Sequence, residues 1–410
     1  MKIWLKMILG GIAGMLLGLY LPAAAGDMCK FLAELAVRIG RYALLPMILF
    51  GLIITVYELR TERKLFIVCR KTIAYAVPTS LGMIILGIIF VSLFTPARIP
   101  IIIETQIPLD KPDITNLLYQ VFPSNLFTLF ASSTDFLLPV MVFALLFGLT
   151  LTHNRNLFRS VVEFSDSLSN VFYHINSFIT EFLFIGGIAL AASMVLQLRE
   201  VTDLGLFLEL FLFLGLFSLV IAFGIFPLML YFLRGRKNPF DWIYAQLAPA
   251  VGAFLSGDVY FSLGLLIRHG KEVLGLPRKI SAVSYPFLTI FTRGGSAMIT
   301  AISFIVILSS YSSLEKGFLH VLWIIAASFG VSFLLGAVPG MGALVGIAML
   351  SGMYGRGMEE HFLILRPVAI ILVSLGALLD TVCASFVTTL VDDSMRLAGE
   401  IKTEKTSELI

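Results

Sequence analysis

Charge is scarce in this chain of 410 residues: Asp, Glu, Lys and Arg together make up 13% of it, against 58% apolar residues. The mean hydropathy is +0.96. A water-soluble domain of this size needs far more polar surface, so the composition points to a polytopic membrane protein. The formal net charge is only +3, and its basic residues are scattered. That excludes a nucleic-acid surface. Cysteine is nearly absent as well. Cys29, Cys69 and Cys383 stand without metal-ligand spacing and read as small apolar residues. No nucleophile–base pair or metal cluster has a workable spacing, which argues against an intramembrane enzyme.

What the chain has in abundance is long apolar runs. Those near 3–25, 36–57, 72–95, 134–153, 173–197 and 205–233 read as spans. The first could pass for a signal peptide, but its length and the spans behind it favour an uncleaved helix. After Tyr231 the pattern changes. Segments 246–267 and 326–350 are apolar but interrupted, one by Asp258 in LSGDVYFS and one by GAVPGMG. Longer runs at 281–309 and 363–391 lie between and after them. The region 96–133 reads as an external excursion.

Basic residues then suggest an orientation. With the N-terminus inside and each interrupted segment re-entrant, Lys2, Lys6, Arg60, Arg70, Arg159, Arg268 and Arg278 fall inside with most of the others. Only Lys30, Arg98, Lys111, Arg199, Lys316 and Arg356 fall outside. Two broken segments, one from each side, imply a central site. Irregular backbone at membrane depth survives only inside protein or beside a watery cavity, and paired breaks mark transporter sites.

The stretch FTRGGS, from Phe291 to Ser296, puts an arginine inside an apolar run. A guanidinium at a helix centre costs about 2.5–3.5 kcal/mol or more, so it needs a partner or a function. Arg293 either caps carbonyls of an unwound turn or is a tethered cation facing Asp380, Asp258 or Asp392. Gly294, Gly295, Pro339, Gly340 and Gly342 read as backbone that permits unwound turns. Asp258 reads equally as a helix cap or a protonatable gate residue. Glu181 is a weaker candidate for proton traffic, and His174 and His269 read as interfacial.

LLPMILFGLI (44–53), PSNLFTLFASSTDFLLPVMVFALLFGLTL (123–151), KNPFDWIYAQLAPAVGAF (237–254), GLPRKISAVSYPFLTI (275–290), GAVPGMG (336–342) and LLDTVCASFVTTLVDD (378–393) follow in order. That series resembles the dicarboxylate/amino acid:cation symporters, the glutamate-transporter family, over nearly the whole length. The resemblance implies an all-α polytopic fold of eight transmembrane helices and two re-entrant helical hairpins, with inverted repeats and an elevator movement. It implies one membrane domain over 1–410. A scaffold would take 1–70 and 123–200, and a transport subdomain 71–95 and 205–393. A polar cytoplasmic tail would take 394–410. It also implies a homotrimer in the cell membrane with both termini cytoplasmic.

Departures from the family pattern shape the site. Thr292, Arg293, Gly294, Gly295 and Ser296 stand where the family has Asn-Met-Asp-Gly-Thr, so a carboxylate and an asparagine are lost and a guanidinium gained. Hard cations want oxygen ligands and negative surroundings, which leaves sodium doubtful. Asp380 matches the aspartate that meets a substrate amine. Cys383 replaces an arginine and Val387 an asparagine. Val391 takes the place of a sodium-ligating aspartate, with Asp392 one residue late. Thr79 and Ser80 match a Thr-Ser pair, but Ala76 replaces a tyrosine and Leu335 a threonine.

The resemblance therefore implies a substrate site drawn from Asp380, Cys383, Val387, Arg293, Asp258, Gly257 and the tip residues Val338, Pro339 and Gly340. Thr292, Arg293, Gly294, Ser296, Thr79, Ser80 and Asp392 would handle coupling ions or compensate charge. No cofactor is implied, and sodium is left open. The expected partners are a small-molecule solute, the lipid bilayer and two further copies of the chain, with no nucleic acid. The expected function is secondary transport of an amino acid or carboxylate, coupled to protons or running as uniport or exchange. The alternative is a membrane sensor or assembly protein that no longer transports.

Overall fold

The computed structural model describes residues 2–94, 98–100, 114–132, 136–201, 203–234, 239–311 and 317–399. The described residues are helical, with no strand among them. Seven helical stretches among them are long and apolar enough to cross a membrane, and three shorter apolar helices accompany them. This is a multi-pass membrane protein. Lys111, Lys237 and Lys316, parts of the 96–133 excursion and the tail from residue 400 lie outside the described residues.

Several helices of the N-terminal half gather around one long helix. Helix α1 (Ile3–Tyr20), α2 (Gly26–Arg41) and α3 (Leu44–Thr61) all pack on α8 (Arg159–Arg199), and α7 (Leu138–Leu151) packs on α3. Between α3 and α7 come α4 (Leu65–Leu93), α5 (Ile114–Val121) and α6 (Leu126–Ser132). Two of these helices outrun the apolar runs of the sequence. The run at 36–57 belongs to a stretch that begins at Gly26 and bends between Arg41 and Leu44. α2 is amphipathic, so its polar stripe hid the helix from a search for apolar length.

α8 is 41 residues long, about 60 Å at 1.5 Å per residue, twice the hydrocarbon thickness. Its first turns carry Ser165, Asp166 and Ser169, of which the two serines are buried. The helix therefore continues on packing where apolar composition stops. The 134–153 run forms a helix of only 14 residues.

The rest of the chain forms a second packed group. α9 (Gly205–Val220) passes through a π-helical turn, Ile221–Ile225, into α10 (Phe226–Arg234). α11 (Pro239–Ser256) and α12 (Val259–Glu272) pack against each other across a break at Gly257–Asp258. α13 (Arg278–Phe291) and α14 (Gly294–Tyr311) are one stretch interrupted at Thr292–Arg293. α15 (Phe318–Ser332) and α16 (Gly342–Tyr354) pack together across an irregular tip. α17 (Ala369–Leu397) runs through the middle and touches α4, α11, α12, α13, α14 and α16. Its residues from Leu372 to Asp392 are all buried.

Candidate solute site at the junction of three helix breaks

The breaks in α11–α12, α13–α14 and α15–α16 meet beside α17. At the first, Gly257 takes φ +64°, a left-handed conformation that only glycine adopts without strain. The chain then enters α12 capped by Asp258, whose Oδ1 accepts from Tyr260 N at 2.7 Å and Phe261 N at 3.1 Å. At the second, α13 ends at Thr292, which has extended-like φ −119°, ψ 69°. Gly294 and Gly295 do not unwind: they start α14 in helical geometry. Their value is space. A Cβ on Gly295 would stand 2.4 Å from Leu379 Cβ and 2.6 Å from Asp380 N, so only glycine lets α14 lie this close to α17.

Arg293 projects from that break into the interior and is 1% exposed. Its Nε donates to Asp380 Oδ2 at 2.7 Å. One terminal nitrogen donates to Leu335 O at 3.2 Å and the other to Pro339 O at 3.3 Å, both in the α15–α16 tip. So the guanidinium caps carbonyls, but of the neighbouring tip rather than its own turn, while it also pairs with a carboxylate. Asp380 is filled from the other side too. Ser296 donates its backbone N–H to Oδ1 at 2.9 Å and its hydroxyl to Oδ2 at 2.6 Å. The carboxylate therefore sits at the first turn of α14, where the helix dipole also favours it. A buried ion pair holds only when its remaining hydrogen-bonding positions are met, as they are here.

The three carboxylates considered for Arg293 go to three different arginines. Asp258 pairs with Arg41 of α2 through Oδ2. Asp392 lies 12 residues beyond Asp380, about 18 Å along α17, and takes Arg396 at 2.9 Å. It does not join the site. Cys383 and Val387 are buried on α17, one and two turns past Asp380. Thr79 donates its hydroxyl to Tyr75 O within its own helix at 2.7 Å. Ser80 lies against Gly294, where an added Cβ would come 2.8 Å from its Oγ. Glu181 pairs with Lys6 and, at 3.3 Å, with Arg268. His269 is buried, with Nδ1 3.0 Å from Leu265 O.

The two tips are closed on each other. Tyr260 at the start of α12 donates its hydroxyl to Gly336 O at 2.7 Å. Deeper, the hydroxyls of Ser262 and Thr381 meet at 2.7 Å. Two cavities lie between α2, α3 and α8 on one side and the broken helices on the other. One, of about 1020 Å³, is bounded by α2 and the end of α8 near Gln197, and reaches Asp258, Tyr260 and Gly340. The second, of about 810 Å³, is bounded by Glu58, Glu62, Ser169 and Tyr173 and by Lys271, Arg278 and Lys279. Ser169 and Gln197 are about 40 Å apart along α8, so the cavities face opposite ends of the protein. Neither is lined by Arg293 or Asp380.

Arg41 was missed as a site residue. The signal was present in the sequence: Lys30, Glu34, Arg38 and Arg41 repeat at helical spacing, so they share one face of α2. Tyr260 and the Arg278 cluster gave no local signal, because their partners lie far along the chain.

Parts of this sequence are similar to known proteins. Neutral amino acid transporter A of Homo sapiens is 24% identical over 208 residues, which take in 51% of this chain and 39% of that protein. The C4-dicarboxylate transport protein of Deinococcus radiodurans is 25% identical over 299 residues, 67% of this chain and 64% of that protein. Neutral amino acid transporter B(0) of Bos taurus is 23% identical over 392 residues, 83% and 70% of the two chains. The chain thus spans well under half of some curated relatives and about two thirds of others. Its broken helices and the continuously buried part of α17 fall within residues 3–394, which match the sodium:dicarboxylate symporter family, and the chain belongs to that family.

Proposed function

We propose that the protein is a secondary transporter of a small organic solute, an amino acid or a carboxylate, working by an elevator movement. The observation that carries this is the Arg293–Asp380 pair, sealed between α17 and the tip of α15–α16. A tip closed over a buried charged pair beside broken helices fits an alternating-access site. In this reading α11–α12 and α15–α16 are two re-entrant hairpins beside eight spans. Helices α1, α2, α3, α7 and α8 form a scaffold, over 1–70 and 123–200. The remainder, 71–95 and 205–393, moves with the solute, and 394–410 is a polar tail. Three copies assemble in the cell membrane with their termini in the cytoplasm.

Arg293 takes the part of a coupling cation. A bound cation would draw the tip carbonyls of α15–α16 inward, and the guanidinium already does so through Leu335 and Pro339. Asp380 balances its charge and Ser296 holds that carboxylate, with Thr292, Gly294, Thr79 and Ser80 as the neighbouring polar and small residues. A solute carboxylate competes with Asp380 for Arg293, and a solute amine competes with Arg293 for Asp380. Cys383 and Val387 form the apolar floor one and two turns away. Closure then needs no sodium.

Uptake into proteoliposomes under separately imposed sodium and proton gradients tests this. Solute flux that persists without sodium is expected. Flux that strictly requires sodium overturns the built-in cation, and ligand-dependent thermal stabilisation with no flux assigns a sensing role instead.

A further inference from the structure

The cavity against α2 reaches a charged pair that the site above does not use. Arg41 and Asp258 meet there, Asp258 3% exposed and Arg41 18% exposed at the side chain. The Arg41 guanidinium also lies over the Tyr260 ring, 5.8 Å from its centroid. Asp258 has two separate duties. Oδ1 caps α12, and Oδ2 holds Arg41. The second can be given up without the first. The cavity wall carries Lys30, Arg38 and Arg41 against Glu34 and Asp258, so its balance is basic. At about 1020 Å³ it has room for a small solute, because ordinary small-molecule sites run from about 300 to 1,000 Å³. Gly340 of the α15–α16 tip stands at the same end of it.

We propose that this cavity is a vestibule site for a small carboxylate anion, which takes Arg41 from Asp258 and so unlatches the tip of α12 from α2. An arginine fork accepts one carboxylate in exchange for another with little change of geometry. The exchange leaves α12 capped and frees its tip from α2, next to the point where Tyr260 joins it to Gly336. Identifying the anion with the transported solute rests on the reading above. Binding itself does not.

The test is binding to the purified full chain in detergent, read by thermal shift and calorimetry. The probes are acetate, succinate, L-alanine and L-aspartate, with succinamide as the uncharged control. Asp258→Asn keeps the cap, since asparagine caps as well as aspartate, but removes the competing charge. It is expected to tighten binding of at least one carboxylate by about tenfold, while Arg41→Gln weakens the same probe by about tenfold or more. Arg41→Lys falls between them, and stands in if Arg41→Gln does not fold. A purely structural latch predicts that both neutral variants move binding in the same direction, and that result overturns the site. So does failure of all four carboxylates to bind, or binding indifferent to Arg41. Opposite shifts without flux in liposomes would sink the transporter reading and leave the site. Flux indifferent to both variants, with no carboxylate held at Arg41, would do the reverse.

Discussion

Arg293 and Asp380 make each other's burial tolerable. Desolvating either charge alone costs several kcal/mol, and the pair recovers that only through its bonds to Ser296, Leu335 and Pro339. Arg293→Met leaves Asp380 without its ion-pair partner and takes a donor from each of the two tip carbonyls, of which Leu335 O keeps Val338 N–H. It is expected to cost about 3–5 kcal/mol. The double variant Arg293→Met/Asp380→Leu is expected to lose clearly less than the sum of its two single variants. A double-mutant cycle on unfolding in detergent measures this, and strict additivity would refute the coupling. At this scale the sequence was informative about need but not about choice. A guanidinium in an apolar run demands a partner, and three aspartates qualified. The choice fell to Asp380 because α14 and α17 touch at Gly295, a contact between residues over eighty positions apart.

The breaks in the helices were legible because they need particular residues. Gly257 supplies the left-handed turn and Asp258 the cap, and both could be read from LSGDVYFS. The pairing of one tip with the other could not. It includes the hydrogen bond from the Tyr260 hydroxyl to Gly336 O. Tyr260→Phe keeps the ring and removes that donor, at a cost of about 0.5–1.5 kcal/mol. Hydrogen exchange of the amides around Gly336–Gly340 is expected to speed up while the interior of α17 is unchanged. Unaltered exchange at the tip would mean that other contacts hold the two elements closed. The amphipathic α2 and the polar start of α8 escaped notice for one reason. Length of apolar run measures lipid exposure, whereas α2 persists by packing on α8, and α8 by packing on α3 as well.

Across the whole molecule, charge clusters join the α2–α3–α8 group to the broken helices, one of them Arg268 of α12 with Glu181 of α8. At one end stands Arg41 with Asp258. At the other, Arg278 holds Glu58 at 2.9 Å and Asp166 at 2.6 Å, and Lys279 holds Glu62. The Lys279 ammonium, donating to Glu62, keeps that carboxyl below the ordinary glutamate value of 4.5, with Lys64 adding to the effect. A depressed carboxyl stabilises the interface above the ordinary value and stops doing so as pH falls through the lower, folded one. Acidification below the ordinary glutamate range is therefore expected to loosen the contact between α3 and α13. Glu62→Gln should remove that part of the pH dependence. Hydrogen exchange at the α3–α4 turn between pH 3 and 7, about the range over which carboxylates titrate, checks both. A variant with an unchanged pH profile would place the acid sensitivity elsewhere.

Composition and apolar length by themselves determined that the chain lives in a membrane and crosses it many times, because hydrocarbon admits only such runs. Gly257 and Asp258 determined where one helix breaks, since the left-handed turn favours glycine and the cap a short polar side chain. Tertiary structure alone decided which charge answers which. Ion pairs such as Arg293–Asp380, Arg41–Asp258 and Arg278–Asp166 join residues more than eighty positions apart. Complementary charge constrains the set of possible partners, but only the packing of α14 on α17 and of α12 on α2 brings one of them within reach.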